Sequence, residues 1–196
     1  MILHPATDPD ALIECELVPS DFCLAPEYEA LSYVWGDNDV PRYIKLVGKV
    51  FQTTANLYEA LLALRQQSKP RRLWVDATCV NQGDKGERNQ QVTLMSDIHL
   101  NASRVVIWLG TASEDSHLVF QHLAKFRQHQ EDVKSGRSFP TDPFGESHIN
   151  PPGYEGATRA ALEGLFRRPW FFSTWVIQEK VLSKEAMVCC GSESAS

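Results

Sequence analysis

Apolar and polar positions along this chain follow two periods, and the changes from one to the other mark out its elements. Leu31 to Trp35 is a short apolar-rich run closing on Gly36-Asp37, which predicts a strand entering a turn. Tyr43 to Val47 and Val50 to Thr53 flank Gly48-Lys49, the pattern of a two-residue hairpin. Leu57, Ala60, Leu61 and Leu64 recur at helical spacing and predict a helix from an Asn56 N-cap through Arg65. Leu73 to Val75 reads as a strand. Glu87 to Ala102 reads as an amphipathic helix with Val92, Met95, Ile98 and His99 on its inner side. Arg104 to Leu109 is a nearly continuous apolar strand, as expected where helices cover both faces of a sheet. Ser113 to Val133 predicts the longest helix and Gly156 to Phe166 another. Trp170 to Lys180 predicts a further helix after Pro169, and Ala186 to Cys190 a last strand.

The ends and breaks are less regular. Ala11 to Val18 fits an additional strand, Met1 to Asp10 reads as loosely ordered at its start, and Ser20 to Glu27 as loop. Residues 135–153, rich in Gly, Pro, Ser, Asp and Asn, form a long loop, either a lid over a site or a surface insertion. Strands alternating with helices predict one α/β domain. Its sheet is expected to be mostly parallel, flanked by helices on both faces, with an added β-hairpin at one edge.

Composition narrows the functional classes. The 196 residues are 43% hydrophobic and 22% charged, with a formal net charge of -6. That balance argues against a sequence-independent grip on nucleic acid, which needs clustered Lys and Arg. No apolar run approaches the roughly 20 residues that span a bilayer, and no secretory signal is visible. The five cysteines, Cys15, Cys23, Cys79, Cys189 and Cys190, show no zinc spacing. A reduced, cytoplasmic setting follows, with Cys189 and Cys190 turned to opposite faces of a strand. GxGxxG and P-loop patterns are absent.

Candidate chemistry gathers in Leu73–Val92 (LWVDATCVNQGDKGERNQQV), where polar groups follow a strand and precede a helix. Asp76 is placed either to accept from ribose hydroxyls or to brace a turn. Asn81 and Gln82 suit an amide or adenine edge, or the loop itself. Cys79 has no neighbouring His to activate it. Arg88 opposes the favoured charge at a helix start and so reaches for a ligand phosphate or an acidic residue. Ser32, Trp35 and Gly36 close the first apolar run, where the glycine permits close backbone approach or simply makes a turn. Trp175 lies one helical turn before Glu179. An indole there raises the carboxyl pKa and offers a stacking surface, or else both residues belong to core and rim.

Three stretches carry a family resemblance: Tyr28–Asp37 (YEALSYVWGD), Leu73–Val92, and Arg168–Glu179 (RPWFFSTWVIQE). In this order they resemble the HET domain of fungal heterokaryon-incompatibility proteins, over a core of about 25–191 within one domain of 1–196. HET proteins are usually longer, which implies an excised domain or a short member. Ser173 to Glu179 is also similar to the SxWCxxE motif of TIR domains, with Val176 in place of the cysteine. Tyr28 to Tyr33 resembles the first TIR strand, and Gly36-Asp37 falls near the TIR GED turn. This second resemblance implies a TIR/flavodoxin-like sheet and a glutamate, here Glu179, that cleaves NAD. It further implies a cell-death effector that is an NAD glycohydrolase, with NAD as substrate, no cofactor and no metal. The alternative is a non-catalytic module that signals through self-association. Expected partners are NAD or a related nucleotide, further copies of the chain, and an incompatibility partner protein.

Overall fold

The computed structural model describes residues 1–20, 26–37, 39–137, 156–173 and 184–195. Its strands are β1 (Ile2–Leu3), β2 (Glu14–Glu16), β3 (Glu29–Tyr33), β4 (Arg42–Leu46), β5 (Lys49–Thr53), β6 (Arg71–Trp74), β7 (Arg104–Trp108), β8 (Ala186–Cys190) and β9 (Glu193–Ala195). Its helices are α1 (Ala55–Leu64), α2 (Asp76–Cys79), α3 (Lys85–Asn101), α4 (Ser116–Lys134) and α5 (Gly156–Phe166). The strands form one sheet in the order β5-β4-β2-β1-β6-β3-β7-β8-β9.

This sheet is mixed, which corrects the expectation of a mostly parallel one. Parallel pairs join β2 to β4, β6 to β3, β3 to β7 and β7 to β8. Antiparallel pairs join β1 to β2, β1 to β6, β4 to β5 and β8 to β9. The cause is connection length. A parallel pair needs a crossover of a dozen or more residues, and the links from β1 to β2 and from β8 to β9 are too short for one.

The parallel core is β6-β3-β7-β8. Numbered by their order in the chain, these four strands lie 2-1-3-4 across the sheet. The link from β3 to β6 runs one way and the next two run the other. A constant right-handed crossover then places their helices on opposite faces. Leu57, Ala60, Leu61 and Leu64 of α1 pack on Leu31, Leu73, Val75, Val106 and Trp108. On the other face, Val119 and Phe120 of α4 and Ala161 and Leu165 of α5 pack on Ala30, Val105 and Ile107. Helix α3 joins that second face, where His99 meets Trp74 edge-on and the Tyr28 hydroxyl donates to the Ile98 carbonyl at 2.6 Å. Cys189 and Cys190 enter opposite cores, as alternation requires.

Other expectations shift in detail. Met1 to Leu3 are not loose: β1 lies inside the sheet, and the terminal ammonium donates to the Leu73 carbonyl at 2.9 Å. The hairpin turn falls on Val47-Gly48, one residue early, with φ of 49° and 75°. Both residues are left-handed, as the turn type matched to strand twist requires. Thr54, not Asn56, caps α1 by accepting from the Leu57 amide at 3.3 Å. The helix predicted from Trp170 begins as a 3-10 turn, Pro169–Phe172, and residues 174–180 lie outside the described residues. So do 138–153 of the long loop.

Candidate functional site

The carboxyl ends of β3 and β6 open on the strand-end side of the sheet, one strand away from the β3/β7 point where the crossovers change direction. The carboxyl-end side is where open α/β sheets build ligand sites. A hollow of about 510 Å³ lies there, within the ordinary range for small-molecule sites. Strand β3 delivers Tyr33 and, just past its end, Trp35. Strand β6 delivers Trp74 and then Asp76. From α3 come Arg88, Gln91, Val92 and Met95, and Trp170 and Ser173 complete the wall.

The start of α3 is built locally. Asp84 caps it, accepting from the Gly86 amide at 2.8 Å and the Glu87 amide at 3.2 Å. Glu87 turns back to accept from the Asn81 amide at 3.0 Å. The Asp84 cap starts the helix and Glu87 ties its first turn to the preceding loop at Asn81, which together position Arg88 one residue on. Val92, predicted to face inward, is 42% exposed because the hollow lies beside it.

Asp76 is the centre of the polar network. Its Oδ2 accepts from the Trp35 indole at 2.7 Å, and its Oδ1 from the Ala77 amide at 2.7 Å. The Tyr33 hydroxyl bonds to it as well. Burial pushes the Asp76 carboxyl above its ordinary range, and the Trp35, Ala77 and Tyr33 bonds act against that shift, with a further contribution from His99. Burial likewise pushes the Tyr33 phenol upward, reinforced by the Asp76 charge. Three donors thus occupy the Asp76 carboxylate, and two of them, Trp35 and Tyr33, are held in place by it. Gln82 joins by donating from Nε2 to the Asp76 carbonyl at 2.9 Å.

The sequence-predicted residues divide accordingly. Trp35, Asp76, Gln82 and Arg88 come together around the hollow. Ser32 is 1% exposed and accepts from the Trp170 indole at 2.8 Å. Gly36 is a left-handed turn glycine, φ 72°, against Asn56. Cys79 turns away, with its sulfur 3.4 Å from the Val75 amide and 3.9 Å from the terminal ammonium. Asn81 ties its own loop, accepting from the Gly83 amide at 3.1 Å. Trp175 and Glu179 lie outside the described residues.

Tyr33, Trp74, Gln91 and Trp170 also line the hollow, and the sequence reading did not nominate them. For Trp74 the signal was present: it alternates with Leu73 and Val75, so it had to face the other way. Arg168 is structural. It donates to the Leu109 carbonyl at 2.9 Å and the Thr111 carbonyl at 2.8 Å, closing the loop after β7.

The hollow offers flat aromatic walls and one cation. Among the described residues no carboxylate pairs with Arg88. Such a set can stack a planar ring and hold an anion. Among the described residues no group of three or more His, Cys, Asp or Glu could hold a metal ion. No described helix is long and apolar enough to cross a membrane. Burial pushes the Cys15 thiol up to about 12 and the Cys189 thiol to about 11, so both are poor nucleophiles.

Helices on both faces of one mixed sheet, with an aromatic hollow at the strand ends, make this an α/β domain. Within that class the chain belongs to the family Heterokaryon incompatibility protein (HET), whose model matches residues 28–179. It is similar to "Heterokaryon incompatibility protein 6, OR allele" of Neurospora crassa, 30% identical over 224 aligned residues. That alignment covers 99% of this chain and 33% of the relative, so the chain spans about a third of the relative's length. No solved structure matches.

Proposed function

We propose that this chain is a cell-death effector domain of fungal heterokaryon incompatibility and that it cleaves NAD, releasing nicotinamide. The family and the relative's name support the biological setting. The observation that carries the chemistry is the hollow at the ends of β3 and β6, with its tryptophan walls and Arg88, which has no carboxylate partner among the described residues. The 2-1-3-4 order of the parallel strands supports kinship with TIR and flavodoxin-like sheets.

In the proposed reaction, the bond from ribose C1′ to the nicotinamide nitrogen breaks and its electron pair leaves with the ring. The departing pyridinium becomes neutral nicotinamide, so no general acid is needed. Positive charge builds at C1′ and the ring oxygen, as in glycoside hydrolysis. Glu179 is assigned to stabilise that charge. Water then bonds to C1′ and gives up a proton to solvent, leaving ADP-ribose. Arg88 holds phosphate, and Trp35 and Trp74 flank the rings. The test is NAD turnover by the purified chain at high concentration, followed by NMR. Glu179→Ala is expected to lower the rate by about 100-fold or more. Unchanged turnover in the folded variant would overturn the assignment.

A second reading has its own observation. Strand β5 ends the sheet, and the β4–β5 hairpin exposes Val50 at 78%, Val47 at 57% and Tyr43 at 49%. A bare apolar edge invites pairing with another chain, which fits a module that signals by self-association. Here Val50→Lys is expected to shift the chain toward monomer in sedimentation velocity. An unchanged distribution would remove this edge from the assembly.

A further inference from the structure

We propose that the site has a second compartment, behind Trp35, that takes an uncharged heteroaromatic base and its ribose. The inference rests on the nucleotide reading above and extends it to a two-part ligand. A hollow of about 290 Å³ lies between the end of β5, the turn into α1 and the start of α2. It shares Tyr33, Trp35 and Gln82 with the larger hollow. Trp35 thus borders both compartments, and Asp76 holds its indole at 2.7 Å.

The chemistry of the two compartments differs. The larger one has Arg88 and Asp76 in its wall. Among the described residues the smaller has no charged side chain: its distinctive residues are Phe51, Gln52, Thr53, Thr54, Leu57 and Ala77. An anion has no reason to enter such a space, whereas a neutral ring with hydrogen-bonding edges does. Two further observations point to a missing ligand. Thr53 is 7% exposed, and its hydroxyl has no partner among the described residues. A shielded polar atom of this kind ordinarily finds one, and a ligand group on the floor of the compartment would supply it. Gln82 spends its Nε2 on the Asp76 carbonyl, and among the described residues nothing donates to its Oε1. A dinucleotide matches the pair of compartments: a neutral nucleoside at one end, an anionic diphosphate in the middle, and a second ring beyond.

The test is calorimetric titration of the full chain with the non-cleavable carbocyclic analogue of NAD, with AMP and with nicotinamide mononucleotide. Gln52 is exposed on β5 and remote from Arg88 in sequence, so Gln52→Ala leaves the fold intact. This variant is expected to weaken the dinucleotide and AMP, whose base is the uncharged one, by about fivefold, the loss of one neutral hydrogen bond. Nicotinamide mononucleotide, whose ring is a cation, binds as before. Thr53→Val, nearly isosteric, should weaken the same two ligands. Arg88→Ala should weaken all three. Equal weakening of all three by Gln52→Ala, or of none, overturns the second compartment while leaving the nucleotide site standing. Failure of the unaltered chain to bind any of the three overturns the nucleotide reading, and this inference with it.

Discussion

At Asp76, three donors converge on one carboxylate in a half-buried position. The residue is a brace for Trp35 and Tyr33 before it is anything for a ligand. That role has a pH signature. Burial holds its folded pKa above the ordinary 3.8. Between 3.8 and the raised value the folded chain binds more protons than the unfolded one, so this group makes stability fall as pH rises. Below that window both states are protonated and the penalty is absent; above it the penalty is complete. Asp76→Asn removes the slope. The difference in urea midpoint between the variant and the unaltered chain should therefore change from about pH 4 upward, moving in favour of the variant. A difference that stays flat would mean that the three donors fully offset the burial.

At the level of elements, α3 connects the fold to the site. Its first two turns carry Arg88, Gln91 and Val92, and its start is held by Asp84 and Glu87 outside the hollow. Asp84→Ala should cost about 1 kcal/mol in chemical denaturation, the usual cost of losing a cap. It should also weaken nucleotide binding, although Asp84 is not among the residues lining the hollow. Full stability in this variant would show that tertiary packing alone holds the helix start. Helix α1 illustrates why caps are hard to read locally. Thr54 and Asn56 are both capping types. Asn56 is drawn away to donate to the Val34 carbonyl at 2.6 Å and accept from the Trp108 indole at 2.9 Å. Those partners are 22 and 52 residues distant, so no local pattern reveals them.

Across the whole molecule, the site at the carboxyl ends of the strands is balanced by a clasp at their amino ends. Glu29 on β3 accepts from Arg71 on β6 through two bonds, 2.8 and 2.9 Å, and pairs with Arg104 on β7 at 3.2 Å. The Arg71 and Glu29 side chains are only 13% and 15% exposed. Removing the carboxylate leaves a guanidinium largely shielded from water and unpaired. Glu29→Ala should therefore cost about 3 kcal/mol, read from the urea midpoint, while leaving ligand affinity of the folded chain unchanged. A loss under about 1 kcal/mol would show that water reaches Arg71 freely.

The sequence by itself determined the α/β class, the hairpin, the family and most of the described strands and helices, though not β1, α2 or β9. These follow from local periodicity and from three motifs within the stretch matched by the family model. It also nominated Asp76, Gln82 and Arg88 from the polar stretch after one strand, and Trp35 from the end of another. Only the tertiary structure decided which residues meet. It turned Cys79 away from the hollow, buried Ser32 beneath Trp170, and made Asp76 a support for Trp35 across 41 residues of chain. It also inserted β1 and β2 between the hairpin and the parallel core, making the sheet mixed. Strand order and facing are set by long-range pairing and by which faces are left to bury, and a one-dimensional period carries neither.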